Sequence, residues 1–207
     1  MLNQTVNQAQ PQAHTVEWTA ALAQKAGRGD RAAFDKLVDL FWPDIYRMVY
    51  FRAKNPMDAE DLAQEVFLKA YASLERLRRP ESFRSWLFSI ALNLVRDFHR
   101  KGRGLNLLKS LNAGQDDYTP EPVDQDSESA LDGVLRHEFW REIKSFTKEL
   151  PEKEREVFTL RFLDQLSIKE IAQIMDRAEG SIKSHLFRAV AKLRRRTGLL
   201  EMVRGEL

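Results

Sequence analysis

The stretch that decides the fold is Leu166–Arg196, with the sequence LSIKEIAQIMDRAEGSIKSHLFRAVAKLRRR. Ser167 is a suitable N-cap, and Glu170 stands three positions later, which is the spacing of a capping box. Apolar residues then recur every three or four positions on either side of Arg177–Ala178, the period of an amphipathic helix. The pattern predicts two helices joined by a tight turn. Their apolar stripes are Ile168, Ile171, Ala172 and Met175, and then Ile182, Leu186, Ala189, Val190 and Leu193.

The second of these helices is strongly basic. Residues 177–196 carry seven Arg and Lys side chains and one Glu, a net charge of +6, whereas the whole chain has a net charge of +2. A basic helix after a tight turn is typical of a recognition helix that lies in the major groove of DNA. Its outward side carries Lys183, Ser184, Phe187 and Arg188, side-chain types that can contact base edges. The alternative is a solvated face on an ordinary helical bundle, because charge runs usually mark surface.

The composition excludes several kinds of chemistry. The chain has no cysteine, so it forms neither disulfides nor thiolate zinc sites, and its four His residues lack metal-ligand spacing. It shows no phosphate-binding Gly-rich loop and no pairing of a nucleophile with a base. We therefore expect no metal, no cofactor and no enzymatic activity. The N-terminal residues lack a secretory signal, and no apolar run approaches membrane-spanning length. We expect a cytoplasmic protein without membrane insertion.

Nearly every segment has helical periodicity, so we predict an all-α fold of two small helical domains joined by a flexible acidic linker. Hydrophobic residues make up 43% of the 207 positions, which is enough for buried cores. Residues 102–133 contain two prolines and carry seven acidic and two basic side chains, a net charge of −5. The predicted boundaries are a disordered tail over 1–16, a first domain over 17–101, the linker over 102–133 and a second domain over 134–203.

Two surfaces of the first domain have distinctive patterns. Asp58, Asp61 and Glu65 recur at three and four residues with Gln64 beside them, which suits docking to a basic protein surface. The simpler alternative is that Asp58 caps the helix and Asp61 complements its dipole. Further on, a polar stripe about 22 Å long suits a nucleic-acid strand, with Arg84, Trp86 and Lys101 adjoining it. Its members are Ser85, Ser89, Asn93, Arg96 and Arg100. The alternative is that the nearby aromatics Phe83, Trp86 and Phe88 are core and the arginines solvated.

These segments resemble a known family. GDRAAFDKLVDLFWPDIYRMVYFRAKNPMDAEDLAQEVFLKAY (residues 29–71), followed by FRSWLFSIALNLVRDFHRK (83–101), resembles region 2 of a bacterial sigma factor of the extracytoplasmic-function group within the sigma-70 family. LPEKEREVFTLRFLDQLSIKEIAQIMDRAEGSIKSHLFRAVAKLRR (150–195) resembles region 4. The two motifs occur in this order across an acidic linker, and nothing matches the extra middle domain of primary sigma factors. The resemblance implies a transcription initiation factor that brings core RNA polymerase to promoter DNA.

The resemblance also implies roles for particular residues. Asp58, Asp61, Gln64 and Glu65 would dock on the clamp helices of the polymerase. The −10 element would be melted and read by Arg84, Ser85, Trp86, Ser89, Asn93, Arg96, Arg100 and Lys101, with Asn93 at an extruded base. The −35 element would be read by Ser181, Lys183, Ser184, Phe187, Arg188 and Lys192. Sigma factors of this group are commonly held inactive by an anti-sigma factor, so such a partner is expected.

Three other functions remain open on the sequence. An autonomous transcriptional regulator would use the same recognition helix but bind duplex DNA tightly without polymerase. A nucleic-acid enzyme would need metal ligands or a nucleophile, which the sequence does not present. A helical interaction module would not need the +6 helix. A footprint with purified protein alone separates the first of these from a sigma factor.

Overall fold

The computed structural model describes residues 16–109 and 141–196, and every regular element within these ranges is helical. The all-α prediction is confirmed for this part of the chain. The tail over 1–16 lies almost entirely outside the described residues, as does most of the predicted linker. The α-helices are α1 Val16–Gly27, α2 Arg31–Ala53, α3 Pro56–Ser73, α4 Phe83–Lys109, α5 including residues 141–149, α6 Glu152–Phe162, α7 Ile168–Met175 and α8 Glu179–Leu193.

Local signals in the sequence explain where the first helices begin and end. The carboxylate of Asp30 accepts a hydrogen bond from the backbone N–H of Ala33 at 3.0 Å and caps α2. This helix continues through Pro43 and ends at Lys54, whose φ of 64° is the left-handed conformation of a C-cap. Asn55 caps α3 by accepting from the N–H of Met57 at 2.9 Å. The cap of α3 is thus Asn55, so the alternative reading of Asp58 as the capping residue is wrong.

The first four helices pack around one apolar core. Each contributes buried side chains: Ala23 in α1 is 3% exposed, and Leu37 of α2, Val66 of α3 and Leu87 of α4 are fully buried. The 3₁₀ turns Leu74–Arg76 and Pro80–Ser82 carry the chain from α3 to α4. Helix α4 continues to Lys109, eight residues into the stretch predicted as linker. The long helix therefore carries the polar stripe on a single rigid element.

Helices α5 to α8 form the second helical group. Phe146 of α5 lies edge-on to Phe158 of α6, with ring centroids 5.2 Å apart, and both rings are buried with Ala189 and Leu193 of α8. Helix α7 packs against both α8 and α4. The apolar core of the first group is consequently continuous with side chains of the second, including Leu160 and Ile171.

Candidate nucleic-acid and polymerase interfaces

Helix α7 and the turn after it set the direction of α8. Ser167 accepts a hydrogen bond from the N–H of Glu170 at 3.2 Å, and the Glu170 carboxylate accepts one from the N–H of Ser167 at 2.8 Å. This is the capping box predicted from the sequence. Asp176 ends α7 in the left-handed conformation, with φ of 50°, and α8 begins three residues later. Ala178 stands at the N-cap of α8 and supplies no side-chain cap.

Burial separates the two sides of α8. Ile182, Ala189 and Leu193 are buried against the rest of the second group. Lys183, Ser184 and Phe187 are exposed, and Phe187 has 73% of its surface accessible. An aromatic side chain exposed to this extent does not contribute to the core. The −35 set is thus largely accessible on one helix, with Ser181 only partly buried.

The basic side chains of α8 are not all unpaired. Glu154 of α6 is buried, and its carboxylate accepts from Arg188 Nε at 3.2 Å and from Lys192 Nζ at 2.7 Å. The hydrogen bond and charge of Lys192, together with those of Arg188, hold the pKa of Glu154 below its ordinary value despite burial. Arg188 Nη2 also lies 2.8 Å from His185 Nδ1. Sequence reasoning did not single out Glu154, because its contacts span 34 and 38 residues. It also missed the contact of His185 with Arg188, although their three-residue spacing on one helix was an available signal.

The acidic surface of α3 is exposed as its pattern indicates. Asp61, Gln64 and Glu65 are accessible, whereas Asp58 in the first turn is partly buried. Glu65 forms a surface ion pair with Lys69 at 2.9 Å. Three exposed apolar side chains that the sequence reasoning missed lie at helical spacing from Asp61 and Gln64 on this face: Met57, Leu68 and Tyr71, with 74%, 70% and 52% of their surfaces accessible. The sequence could have revealed them, because their spacing from Asp61 matches the 3.6-residue period that places side chains on one helix face.

The polar stripe of α4 is divided between two environments. Its second half is open, with Asn93, Arg96, Arg100 and Lys101 exposed. Its first half is covered: Ser85 is only 4% exposed, and Ser89 and Trp86 are partly buried. Trp86 packs against Phe83 with ring centroids 5.8 Å apart. Phe83 and Phe88 are fully buried, so these two aromatics belong to the core and not to a base-stacking surface.

The second helical group covers the start of this stripe. Arg84 pairs with Glu170 at 3.0 Å, and Ser85 Oγ lies 2.7 Å from Gln173 Oε1. Further along the helix, Arg96 pairs with Glu156 at 2.7 Å. Three residues predicted for the −10 element, Arg84, Ser85 and Arg96, thus contact side chains that belong to no predicted site. In this arrangement, Arg84 and Ser85 are engaged within the protein.

A buried ion pair also joins the two helical groups, at Asp164, whose backbone carbonyl accepts a hydrogen bond from Arg84 at 3.3 Å. Arg52, near the end of α2, donates from Nη2 to Asp164 Oδ2 at 2.6 Å and from Nη1 to the Met48 carbonyl at 2.8 Å. The side chains of Arg52 and Asp164 are 12% and 2% exposed. Both charges are therefore largely removed from water and depend on each other.

No helix within residues 16–109 and 141–196 combines the length and apolar character needed to cross a bilayer. In the same ranges, no three His, Asp or Glu side chains are grouped so that they could hold a metal ion.

Comparison with known proteins places this geometry in a family. Residues 37–104 match Sigma-70 region 2, and residues 140–193 match Sigma-70, region 4. The chain is 32% identical over 169 residues to the ECF RNA polymerase sigma factor SigW of Bacillus subtilis, covering 81% of this chain and 90% of SigW. It is 33% identical over 174 residues to the ECF RNA polymerase sigma-E factor of Escherichia coli K12, covering 81% and 88%.

A solved structure shares the fold. The sigma factor RpoE of Bartonella quintana, determined in complex with the anti-sigma factor NepR, superimposes with a TM-score of 0.59 at 24% identity, over 83% of this chain and 96% of RpoE. The family is one of initiation factors, so the prediction that the chain is not an enzyme is confirmed. The chain matches region 2 and then region 4 in that order, and it is 32% identical to SigW over 81% of its length. These matches establish that the chain belongs to the extracytoplasmic-function group of sigma-70 RNA polymerase sigma factors.

Proposed function

We propose that this sigma factor directs core RNA polymerase to promoters by reading the −35 element as duplex DNA and melting the −10 element. The observation that carries the proposal is the exposed side of α8, where Lys183, Ser184 and Phe187 project from a helix anchored by buried apolar residues. A helix of this kind inserts its N-terminal half into the major groove. Arg188 continues the side of the helix that faces the bases, and Ser181 and Lys192 extend the same surface toward the flanking DNA.

In this proposal α4 binds and opens the −10 element, and no covalent chemistry is involved. Opening DNA costs about 1.4 kcal/mol per base-pair step, and capture of an unpaired base by stacking returns about 1–3 kcal/mol. Asn93 is exposed midway along the helix, with Arg96 and Arg100 on the same side. In this proposal Asn93 contacts the extruded base, the arginines follow the backbone, and the polymerase supplies the remaining free energy. Lys101 is already exposed on this surface, and the remaining residues complete it once they are uncovered: Arg84, Ser85, Trp86 and Ser89.

The polymerase contact is assigned to α3. Its acidic residues Asp61 and Glu65 suit a basic partner surface, and Gln64 lies between them. The exposed apolar side chains Met57 and Leu68 add the desolvated contact that a stable interface needs. Two DNA contacts held on one enzyme then reinforce each other through effective concentration.

The remaining assignments follow from the family. We place the −10 and core-binding domain at 17–101, the acidic linker at 102–133, whose first eight residues continue α4, and the −35 domain at 134–203. We also place the protein in the cytoplasm with the polymerase. Because RpoE was solved with an anti-sigma factor, we also propose that an anti-sigma factor controls this chain.

The experiment that tests the proposed function is run-off transcription with core polymerase plus the pure protein, followed by mapping of start sites. New start sites support the proposal, and their absence refutes it.

The two faces make separable predictions. Arg188→Ala is expected to weaken use of the −35 element at least about fivefold, since a guanine contact contributes about 1–3 kcal/mol, and to leave core binding unchanged. Asp61→Ala combined with Glu65→Ala is expected to weaken core binding instead. Core pulldown and run-off transcription measure the two effects. The matched control is Asp35→Ala with Asp39→Ala, which removes two exposed acids at the same spacing from α2. The reverse pattern would overturn the assignment of faces.

A further inference from the structure

Glu154 stands out because it is a buried acid that carries no role in the proposed function. It lies in the first turn of α6 and is only 6% exposed. Its two carboxylate oxygens bind different cations, Arg188 Nε through Oε1 and Lys192 Nζ through Oε2. Burial of a carboxylate is costly unless it is paired. Here both partners belong to the outward side of the recognition helix.

Arg188 is held at a second point. Its Nη2 lies 2.8 Å from His185 Nδ1, and because a guanidinium only donates, that nitrogen accepts the hydrogen bond. The two contacts use two of the five N–H groups and leave three available. The side chain remains 51% exposed. A guanidinium fixed on one edge and open on the other loses less conformational freedom when it meets a base.

We propose that Glu154 is a positioning residue for −35 recognition, which orients Arg188 and restrains Lys192 from beneath the recognition helix without contacting DNA itself. The inference rests on the proposed function of α8. A cation that is free to move contacts any phosphate and discriminates poorly, because phosphate contacts carry no sequence information. By orienting Arg188, Glu154 therefore favours specific contacts with bases over non-specific contacts with phosphates.

The charge of Glu154 acts in the same direction. Arg188 and Lys192 stand four residues apart on a helix with several further cations, a spacing at which like charges repel. A carboxylate between them removes that repulsion and lowers the net positive charge facing the DNA. Loss of the carboxylate is expected to strengthen non-specific binding and to weaken discrimination, two effects that a purely structural role would not produce together.

The test is run-off transcription by the complete holoenzyme on a promoter library randomised at the upstream element. The quantity measured is the upstream preference, defined as the transcript yield of the most used upstream sequences divided by the mean yield over all sequences in the library. The wild-type protein gives the reference value. Glu154→Gln keeps the shape and volume but removes the charge, and it is expected to lower this preference about tenfold. Glu149→Gln is the matched control: it removes an acid from the same domain that pairs with Arg196 at 2.7 Å, and it is expected to leave the preference within twofold.

A double-mutant cycle separates positioning from stability. If Glu154 acts through Arg188, the combination of Glu154→Gln with Arg188→Gln lowers the preference no further than Arg188→Gln alone. Additive losses, or an unchanged preference in Glu154→Gln, would overturn the proposal. If Glu154→Gln does not fold, Glu154→Asp keeps the charge but draws the carboxylate back by one methylene, and the same loss is expected of it. A wild-type holoenzyme without any upstream preference would instead refute the proposed function of α8.

Discussion

At the scale of single residues, two aromatic side chains of the second helical group show how burial divides structure from recognition. Phe158 is 2% exposed and packs against Phe146, whereas Phe187 is 73% exposed on α8. Both are phenylalanines in helices, so residue type alone does not distinguish them. Their surroundings do, and they should respond oppositely to truncation.

Phe187→Ala is expected to change the free energy of unfolding by less than about 0.5 kcal/mol, as exposed substitutions do, and to weaken transcription from a −35-dependent promoter. Phe158→Ala is expected to cost about 3–5 kcal/mol, because it leaves a cavity in the core. Thermal denaturation measures the stability of the two variants, and run-off transcription measures their use of the promoter. If Phe187→Ala proved as destabilising as Phe158→Ala, Phe187 would be a packing residue.

The lowered pKa values of two glutamates lead us to expect that the stability of the protein falls in acid. The pKa of Glu154 is lowered by its hydrogen bond and charge interaction with Lys192 and then Arg188. For Glu170, burial would raise the pKa, but hydrogen bonds from Ser167 and the charge of Arg84 outweigh it, so the pKa is also lowered. The unfolded chain takes up protons near the ordinary value of 4.5, before the folded chain does.

The stability that these carboxylates contribute is therefore complete above pH 4.5 and is lost as the pH falls through their lower folded pKa values. We expect the melting temperature of the wild type to fall more steeply below pH 4.5 than that of the Glu154→Gln, Glu170→Gln double variant. Melting curves between pH 7 and pH 3 test this. Equal slopes in the two proteins would contradict the assigned origin of the acid sensitivity.

At the scale of elements, the helices of the helix-turn-helix unit begin in different ways. Helix α7 starts with a complete capping box. Helix α8 starts at Ala178, which has the extended conformation of an N-cap, with φ of −63° and ψ of 141°, but no side-chain oxygen to accept from the free N–H groups. The backbone thus has the conformation of an N-cap residue, but alanine lacks the side-chain acceptor.

Ala178→Ser is expected to raise the free energy of unfolding by about 1 kcal/mol, because serine supplies the missing acceptor without a change of backbone. Asp30→Ala at the start of α2 is the converse control, since it removes an existing cap, and it should lower stability by a similar amount. Chemical denaturation measures both. A destabilised Ala178→Ser protein would show that the turn before α8 cannot accept a side-chain cap.

At the scale of the whole molecule, apolar contacts between α4 and α7 and ion pairs between charged side chains hold the two helical groups in one arrangement. Arg52 with Asp164, Arg84 with Glu170 and Arg96 with Glu156 all join the two groups. The pair formed by Arg52 is the most buried of the three, so the loss of one partner, which leaves the other charge buried and unpaired, costs the most. In this arrangement the first half of the α4 stripe is covered.

Arg52→Met is expected to loosen the junction, because it leaves the buried carboxylate of Asp164 without its partner, at a cost of about 3–5 kcal/mol. Small-angle X-ray scattering of the free protein should then show a larger radius of gyration. Arg47→Met is the matched control, since Arg47 pairs with Asp44 of the same helix at 2.7 Å. An unchanged radius in Arg52→Met would show that the apolar contacts between α4 and α7 hold the groups together alone.

The sequence by itself determined the all-helical class, the capping box at Ser167 and the apolar faces that form the cores. These features depend on residues within about one or two helical turns, where spacing fixes which side chains share a face. Exposure of Asp61, Gln64, Glu65 and Phe187 follows from the same periodicity. Recognition of the family also depended on local motifs in a fixed order.

Only the tertiary structure decided which charged side chains meet. Arg52 and Asp164 are 112 residues apart, Arg84 and Glu170 are 86 apart, and Glu154 reaches Arg188 across 34. Local periodicity places each of these groups on a helix face but does not say which other face it opposes. The partner of a buried charge is set by how whole helices pack, because desolvation makes one pairing favourable only after apolar burial has brought the helices together.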